Sequence, residues 1–458
     1  MQHLSFIKPH TGHLIVRRGV DAACCCIGIL LALVPYSALH SQEPSGFRLP
    51  DDRKPLTKAD FEAMGLHVVE SAHLRLVTDL PVETVKDLPP LADKLYAALS
   101  KELGPLKPAA DRADFQATGY LMEARERFES NGLLPDGDFV IRHGRHLGYQ
   151  FWLNNQTSSY YRRHLLLHEY IHCYLMCEYG MQNIPPLWYT EGIAEYFATH
   201  DAASGTFGIL PSKAEGFEGW GRISELQLRR KDPETQSEST LPSILQPTDT
   251  SFTSELKYAQ GWAMVWMIRN HPELKSHFES FAAIRTRDDY KTAKQSIDKK
   301  VWDRLPIVWL LTLDSLTEGF QTEHSFAEVQ PTFKVRRSKD APLTIDIKAD
   351  RDWQSSGLSF DEPTKIAITA EGRYAVNDQP KPWISEPQGV TIRYWQGRPL
   401  GEVTAIFVSR DGSSVPVRLP IGRGATLDAP ADSELWLQIN DSAASRADNS
   451  GTVKVTIR

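Results

Sequence analysis

Between residues 160 and 200 the chain reads YYRRHLLLHEYIHCYLMCEYGMQNIPPLWYTEGIAEYFATH, and inside it His168-Glu169-Tyr170-Ile171-His172 sets two histidines four positions apart. On a helix such residues lie one above the other on one face. The flanking sequence predicts that helix. Ser158 and Ser159 offer N-terminal caps, residues 160–179 contain no Pro or Gly, and Gly180 is a natural stop. Leu165, Leu166, Leu167, Ile171, Leu175 and Met176 cover most of its circumference, so the helix is expected to be buried. Two imidazoles stacked on a buried helix can grip a single ion.

The pentad alone carries limited weight. With 15 His in 458 residues, an HExxH arises by chance in about three such chains in a hundred, and a Glu at one fixed later position lowers that to about two in a thousand. Three schemes compete for the third ligand. The metzincin pattern needs Gly at 175 and His at 178, where this chain has Leu175 and Glu178. The inverted HxxEH order is absent as well. The gluzincin layout remains, in which a Glu on a second helix completes the site. Glu191 follows His172 after an interval that holds a helix end, a loop through Pro185-Pro186 and a short return helix. This HExxH-x18-E pattern resembles the thermolysin-like and aminopeptidase-N-like gluzincins of the peptidase MA clan. The segment LWYTEGIAEYF is similar to bacterial peptidase-MA-like families of unassigned function.

The expected roles follow from zinc chemistry. His168, His172 and Glu191 would hold Zn²⁺ and leave a fourth position for water, whose pKa the ion lowers. Glu169 would accept the water's proton and pass it to a leaving amine. Glu195, one turn beyond Glu191, is placed to orient the far nitrogen of a ligand His; the competing reading is a solvated helix charge. Tyr258 is the expected donor to a developing oxyanion, and it falls about as far downstream as the corresponding Tyr of the aminopeptidase-N-like enzymes. His164, His271 and His277 are weaker candidates for that role. The Gly-x-Met-Glu-Asn motif with which those enzymes hold a free amine is missing, which argues against aminopeptidase specificity.

The rest of the chain divides by composition. Arg17-Arg18, an apolar run over 22–34 and small residues to Ser41 read as a signal peptide over 1–41, with an uncleaved anchor as the alternative. Cleavage would remove Cys24, Cys25 and Cys26. Cys173 and Cys177, four apart on the predicted helix, suit packing better than a disulfide. Residues 42–57 read as a polar, Pro-rich linker. Over 58–156 strand and helix signals alternate: HLRLVTD, FVIRHG and GYQFWLNN as strands, LADKLYAALSKEL and LMEARERFES as helices. The resemblance implies that 148–154 is the edge strand against which an extended peptide pairs. Residues 157–328 form the helical, zinc-binding part, with a polar stretch over 206–245 read as a loop with a short helix beside the cleft.

From 331 to 458 the pattern turns to strands throughout: TFKVRR, LTIDIKA, KIAITAEG, VTIRYW, TAIFVSR, VPVRLP, ELWLQIND and TVKVTIR. Such spacing predicts a jelly-roll-like β-sandwich, giving an α+β chain. Its last segment, LWLQIND followed by DNSGTV, resembles bacterial calcium-dependent galactose-binding lectins. That resemblance implies Ca²⁺ and sugar at Asp441, Asp448 and Asn449, whose hard oxygens suit calcium; Asx-rich turns for local reasons are the alternative.

A formal charge of −7 and no basic patch leave no nucleic-acid footprint. The expected protein is an exported zinc peptidase acting on a peptide or protein, with a sandwich for targeting or glycan binding and no stable membrane span after leader cleavage. A carbohydrate-binding scaffold with a structural zinc domain is the alternative. Hydrolysis of a non-peptide amide is a third reading that the residues leave open.

Overall fold

The computed structural model describes residues 46–51, 53–135, 140–180, 183–210, 222–245, 254–328, 332–337, 340–377 and 379–458. The leader expected over 1–41 lies outside the described residues. Residues from Gly46 to Arg458 form one compact α+β unit. Among the described residues no helix is long and apolar enough to cross a membrane.

The N-terminal part is a five-stranded sheet of β1 (His67–Glu70), β2 (Leu74–Thr78), β3 (Ala117–Met122), β4 (Gly144–Leu147) and β5 (Gln150–Asn154), in the order β1-β2-β3-β5-β4. The three inner strands are parallel, and β1 and β4 flank them antiparallel. Two expectations change here. LMEARERFES is not one helix: its first two residues end β3, all of whose side chains are buried, and the helix is only Arg125–Ser130. A central parallel strand carries no polar alternation, so its apolar run merged with the helical pattern after it. Nor is 148–154 the edge. Gly148, at φ 56°, turns the chain between β4 and β5, and the parallel pairing of β5 with β3 leaves β5 inside the sheet and β4 at the edge.

Helix α1 (Leu88–Glu102), with Pro in its first turn, sends Leu91, Leu95 and Leu99 into the core shared with Phe115 and Phe151. Across the same core runs α2 (Ser159–Met176). The Ser158 hydroxyl accepts the Tyr161 N–H at 3.3 Å, and after the helix the Gly180 N–H donates to Met176 O at 2.7 Å with φ 65°. Leu166, Leu167, Tyr170 and Ile171 are fully buried. Each such leucine contributes roughly 1.5–3 kcal/mol.

After Pro185-Pro186 the chain returns as α3 (Leu187–Ala198), followed by α4 (Arg222–Lys231), α5 (Glu255–Asn270) and α6 (Lys299–Ser315). The crossing of α3 and α5 is unusually close. A Cβ on Gly192 would lie 2.5 Å from Gly261 O, and one on Gly261 would lie 2.9 Å from Trp188 O. Only a glycine pair allows that approach, and it brings Glu191 and the first turn of α5 to one place.

The linker expected over 42–57 has, in its described part, no regular structure before α-helical Lys58–Ala63, yet that part is docked. Arg48 is buried, the Leu49 N–H donates to Cys177 O at 2.8 Å, and Arg53 reaches Thr118 Oγ1 at 2.6 Å.

The C-terminal part is a sandwich. One sheet runs β9 (Gln388–Trp395), β10 (Arg398–Ser409), β12 (Ser433–Ile439), β7 (Gln354–Phe360), with short strands Lys334–Val335 beyond β7 and Leu419–Pro420 beside β10. The other runs β11 (Gly424–Ala429), β8 (Thr364–Glu371), β13 (Thr452–Ile457), β6 (Leu343–Lys348). TFKVRR and VPVRLP thus shrink to two-residue strands. Gln354–Phe360 and Gly424–Ala429 were not expected, because Ser355, Ser356, Gly357 and Ser359 give little strand signal.

β12 is buried along its whole length because both its faces are covered. Leu435, Leu437 and Ile439 fill the sandwich, whereas Trp436 belongs to the helical core. Its polar residues meet partners across the joint, Glu434 taking Arg304 of α6 at 2.8 Å and Gln438 reaching Ser315 at 3.3 Å. Beside them Asp314 of α6 accepts from Arg230, Arg418 and Trp353 at 2.8, 2.8 and 3.0 Å.

Candidate metal centre

Helix α2 presents His168 and His172 toward α3, which answers with Glu191. His168 Nε2 and His172 Nε2 are 3.1 Å apart, and Glu191 Oε2 lies 3.2 Å from each. The three donor atoms therefore form a nearly equilateral triangle. Ligands about 2.0–2.1 Å from one tetrahedral zinc ion are separated by roughly 3.3 Å, so the triangle is slightly tight but of the right size. The donor set points the same way, since two imidazole nitrogens and a carboxylate oxygen suit zinc.

Tautomers sharpen the point. His168 Nδ1 lies 3.1 Å from Glu195 Oε1, at an angle short of an ideal hydrogen bond. A carboxylate there favours the proton on Nδ1 and leaves Nε2 as a lone pair. Glu195 is itself gripped by Arg222, whose Nε and Nη2 donate to Oε2 and Oε1 at 2.9 and 3.2 Å. Arg222 also pairs with Glu255 and lies 5.4 Å from the Tyr258 ring centre. Glu195 is thus a buried, paired carboxylate rather than a solvated charge. His164, one turn before His168, reaches Glu195 Oε2 at 3.4 Å.

The electrostatics describe a site rich in negative charge. Burial lowers the proton affinity of His168, but Glu191 and Glu195 outweigh it and push the pKa up to about 10. For His172 burial prevails over the attraction of Glu191, and its pKa is lowered. Burial would raise Glu191, yet His172 and His168 hold it well below the carboxylate range. With protein groups alone the cluster pulls a proton onto His168; a metal ion would take that proton's place.

Glu169 is also buried, and its Oε2 accepts from His146 Nδ1 at 3.0 Å. Burial raises its pKa, whereas that bond and the charges of His146, His168 and His172 lower it, with a net shift downward. The His146 ring stacks on His172 with centres 4.2 Å apart. Tyr258, in the first turn of α5, is half-buried, its ring centre 6.1 Å from that of His168. Burial, then Glu191, Glu195 and Glu169, raise its pKa, so its hydroxyl stays a donor.

The structure therefore brings together His168, Glu169, His172, Glu191, Glu195 and Tyr258. It does not bring in His271, whose Nε2 bonds to Ala327 O at 2.9 Å after the far end of α5. His277 lies beyond it in a short 3₁₀ turn. Sequence reasoning missed His146 and Arg222. The first stands between the two segments read as strands. The second opens a helix in what was read as mostly loop.

At the C-terminal end Asp441 and Asn449 meet. Asp441 Oδ1 accepts from Ser442 N and Ser445 Oγ at 2.6 and 3.1 Å, and Oδ2 accepts from Asn449 Nδ2 at 2.9 Å. Asp448 lies in the adjoining 3₁₀ turn. The loop wraps the fully buried Arg446, whose guanidinium donates to Asp441 O at 2.6 Å and to Ile439 O at 3.1 Å.

No protein-family model and no curated protein matches the sequence. Among solved structures, one titled "EclA N-terminal domain; PllA-like lectin" is 17% identical, with a TM-score of 0.20, over 25% of this chain and 92% of that one.

Proposed function

We propose that this protein is an exported zinc-dependent hydrolase of the gluzincin type, cleaving peptide bonds. The observation that carries the reading is the triangle of lone-pair donors at 3.1–3.2 Å, with the other nitrogen of His168 turned to a buried carboxylate. His168, His172 and Glu191 would hold the ion, which supplies a Lewis acid and lowers the proton affinity of water. Glu169 accepts the water's proton and delivers it to the departing amine. Tyr258 donates a hydrogen bond where negative charge develops on the scissile carbonyl oxygen. Glu195, braced by Arg222, holds His168 in its ligating tautomer.

Metal analysis of the purified protein tests the first step, with about one zinc per chain expected. Glu169→Gln should keep that zinc and lower turnover of a casein-like substrate by at least about a hundredfold, the lower range for a general base. Substoichiometric zinc, or undiminished turnover in the variant, removes the reading.

For the sandwich, the meeting of Asp441 with Asn449 favours glycan binding through Ca²⁺ as a second reading. Opening that site requires Asn449 to turn its amide oxygen inward. A glycan array run with calcium and with a chelator decides it, and calcium-independent or absent binding leaves the loop a structural one.

A further inference from the structure

The edge strand β4 touches the metal centre through alternate residues. Gly144 and His146 share one face of the strand, and both meet Glu169 of α2. A Cβ on Gly144 would lie 2.5 Å from Glu169 Oε1, so a glycine is what lets the carboxylate approach the strand. His146 Nδ1 is 3.0 Å from Glu169 Oε2. The register His146↔Phe151 and the stack on His172, at 4.2 Å and 26° between planes, fix where the imidazole can stand.

We propose, resting on the zinc reading above, that His146 is a positioning residue for Glu169: it donates Nδ1–H to Oε2 and leaves Oε1 as the oxygen that receives a proton from the bound water or a ligand hydroxyl. His146 is not a metal ligand in this arrangement. Its Nδ1 is committed to the carboxylate, and the triangle of donors is complete without its Nε2. The strand that presents an edge for an extended peptide is thereby the same strand that sets the base. The 3.0 Å contact ties one oxygen of the Glu169 carboxylate to the strand and so sets its orientation.

The test uses the cobalt-substituted full chain and acetohydroxamic acid, which ligates the ion and donates a hydrogen bond to the base. His146→Leu should leave the visible spectrum of the hydroxamate-free cobalt protein unchanged and weaken hydroxamate binding about tenfold, as expected for one charge-assisted hydrogen bond. His146→Asn places an amide N–H at the position of Nδ1 and should restore binding to within about threefold of the starting protein. In turnover, the Leu variant should lose kcat with KM unchanged. If the Leu variant does not fold, His146→Ala takes its place in the comparison with Asn. Unchanged hydroxamate affinity in the Leu or Ala variant overturns the proposal. So does a changed hydroxamate-free spectrum, which would make His146 a ligand, or an Asn variant as weak as Leu. Failure of the unsubstituted protein to bind cobalt is a different result: it overturns the zinc reading itself and takes this proposal with it.

Discussion

Two buried charge clusters draw on the two ends of α4, through Arg222 and Arg230, and they are built on different rules. At the joint with the sandwich, Asp314 is enclosed by Arg230, Arg418 and the Trp353 indole at 2.8–3.0 Å. Both Asp314 oxygens meet a donor with its own proton. Between α2 and α3, the nearest neighbours of His168 Nε2 include His172 Nε2 and Glu191 Oε2, at 3.1 and 3.2 Å. Lone pairs that converge in a low-dielectric interior repel unless a proton or a cation joins them. Burial of charge is thus common to architecture and to a site. Self-sufficiency of the cluster separates them.

That contrast is broken most directly by removing one member from each cluster. Glu191→Ala should reduce zinc affinity by well over the roughly 100-fold that changes behind a ligand cause, as read by competition with a chelator, while costing little stability to the metal-free chain. Asp314→Ala should do the reverse. It strands Arg230 and Arg418 in the interior, which costs about 3–5 kcal/mol, and chemical unfolding should show that loss with zinc affinity unchanged. If Asp314→Ala instead releases zinc, the two clusters are one system and the comparison fails.

The legible part of this molecule was the part whose contacts are local. His168 and His172 are one helical turn apart, so their shared face follows from the pentad alone, and Glu191 follows from its interval. Tyr258 was reached by distance along the chain. The Gly192–Gly261 contact that actually delivers Tyr258 to the centre leaves no sequence period. His146 stayed hidden because which of the two hairpin strands forms the edge is decided by the long-range pairing of β5 with β3. The joint was the least legible. Glu434 and Gln438 alternate with apolar residues as a solvent-facing row would, yet β12 is covered on that side by Arg304, Ser315 and Asp352. Polar residues at alternate positions announce a different environment, and only the fold says whether that environment is water.

Glu195 tests the comparison at its boundary, being a paired carboxylate of the architectural kind that touches the candidate metal centre. Glu195→Gln keeps the shape, removes the charge that Arg222 compensates, and weakens the hold on His168 Nδ1. Zinc affinity should fall about 10- to 100-fold, less than for Glu191→Ala. A change no smaller than that of Glu191 would place Glu195 among the ligands, and no change would return it to pure scaffolding.

The smallest effect expected is the part of the pH dependence that the joint contributes. Burial would raise the Asp314 carboxyl, but Arg418 and Arg230 hold it below its ordinary value. The unfolded chain therefore binds this proton more readily, so the stability from Asp314 is present above about pH 4 and is lost as pH falls through the folded value. Asp352 has the opposite sign. Burial raises it, Arg446 and Arg418 oppose that only in part, and its contribution is lost as pH rises through its elevated folded value. Urea midpoints measured across acidic pH should accordingly show a shallower acid limb for Asp314→Asn, while Asp352→Asn removes a decline on the side above pH 4. Metal-free protein is the right sample, because zinc release in acid would otherwise add its own slope. Equal slopes in both variants would mean that the arginines at the joint do not discriminate between the two aspartates.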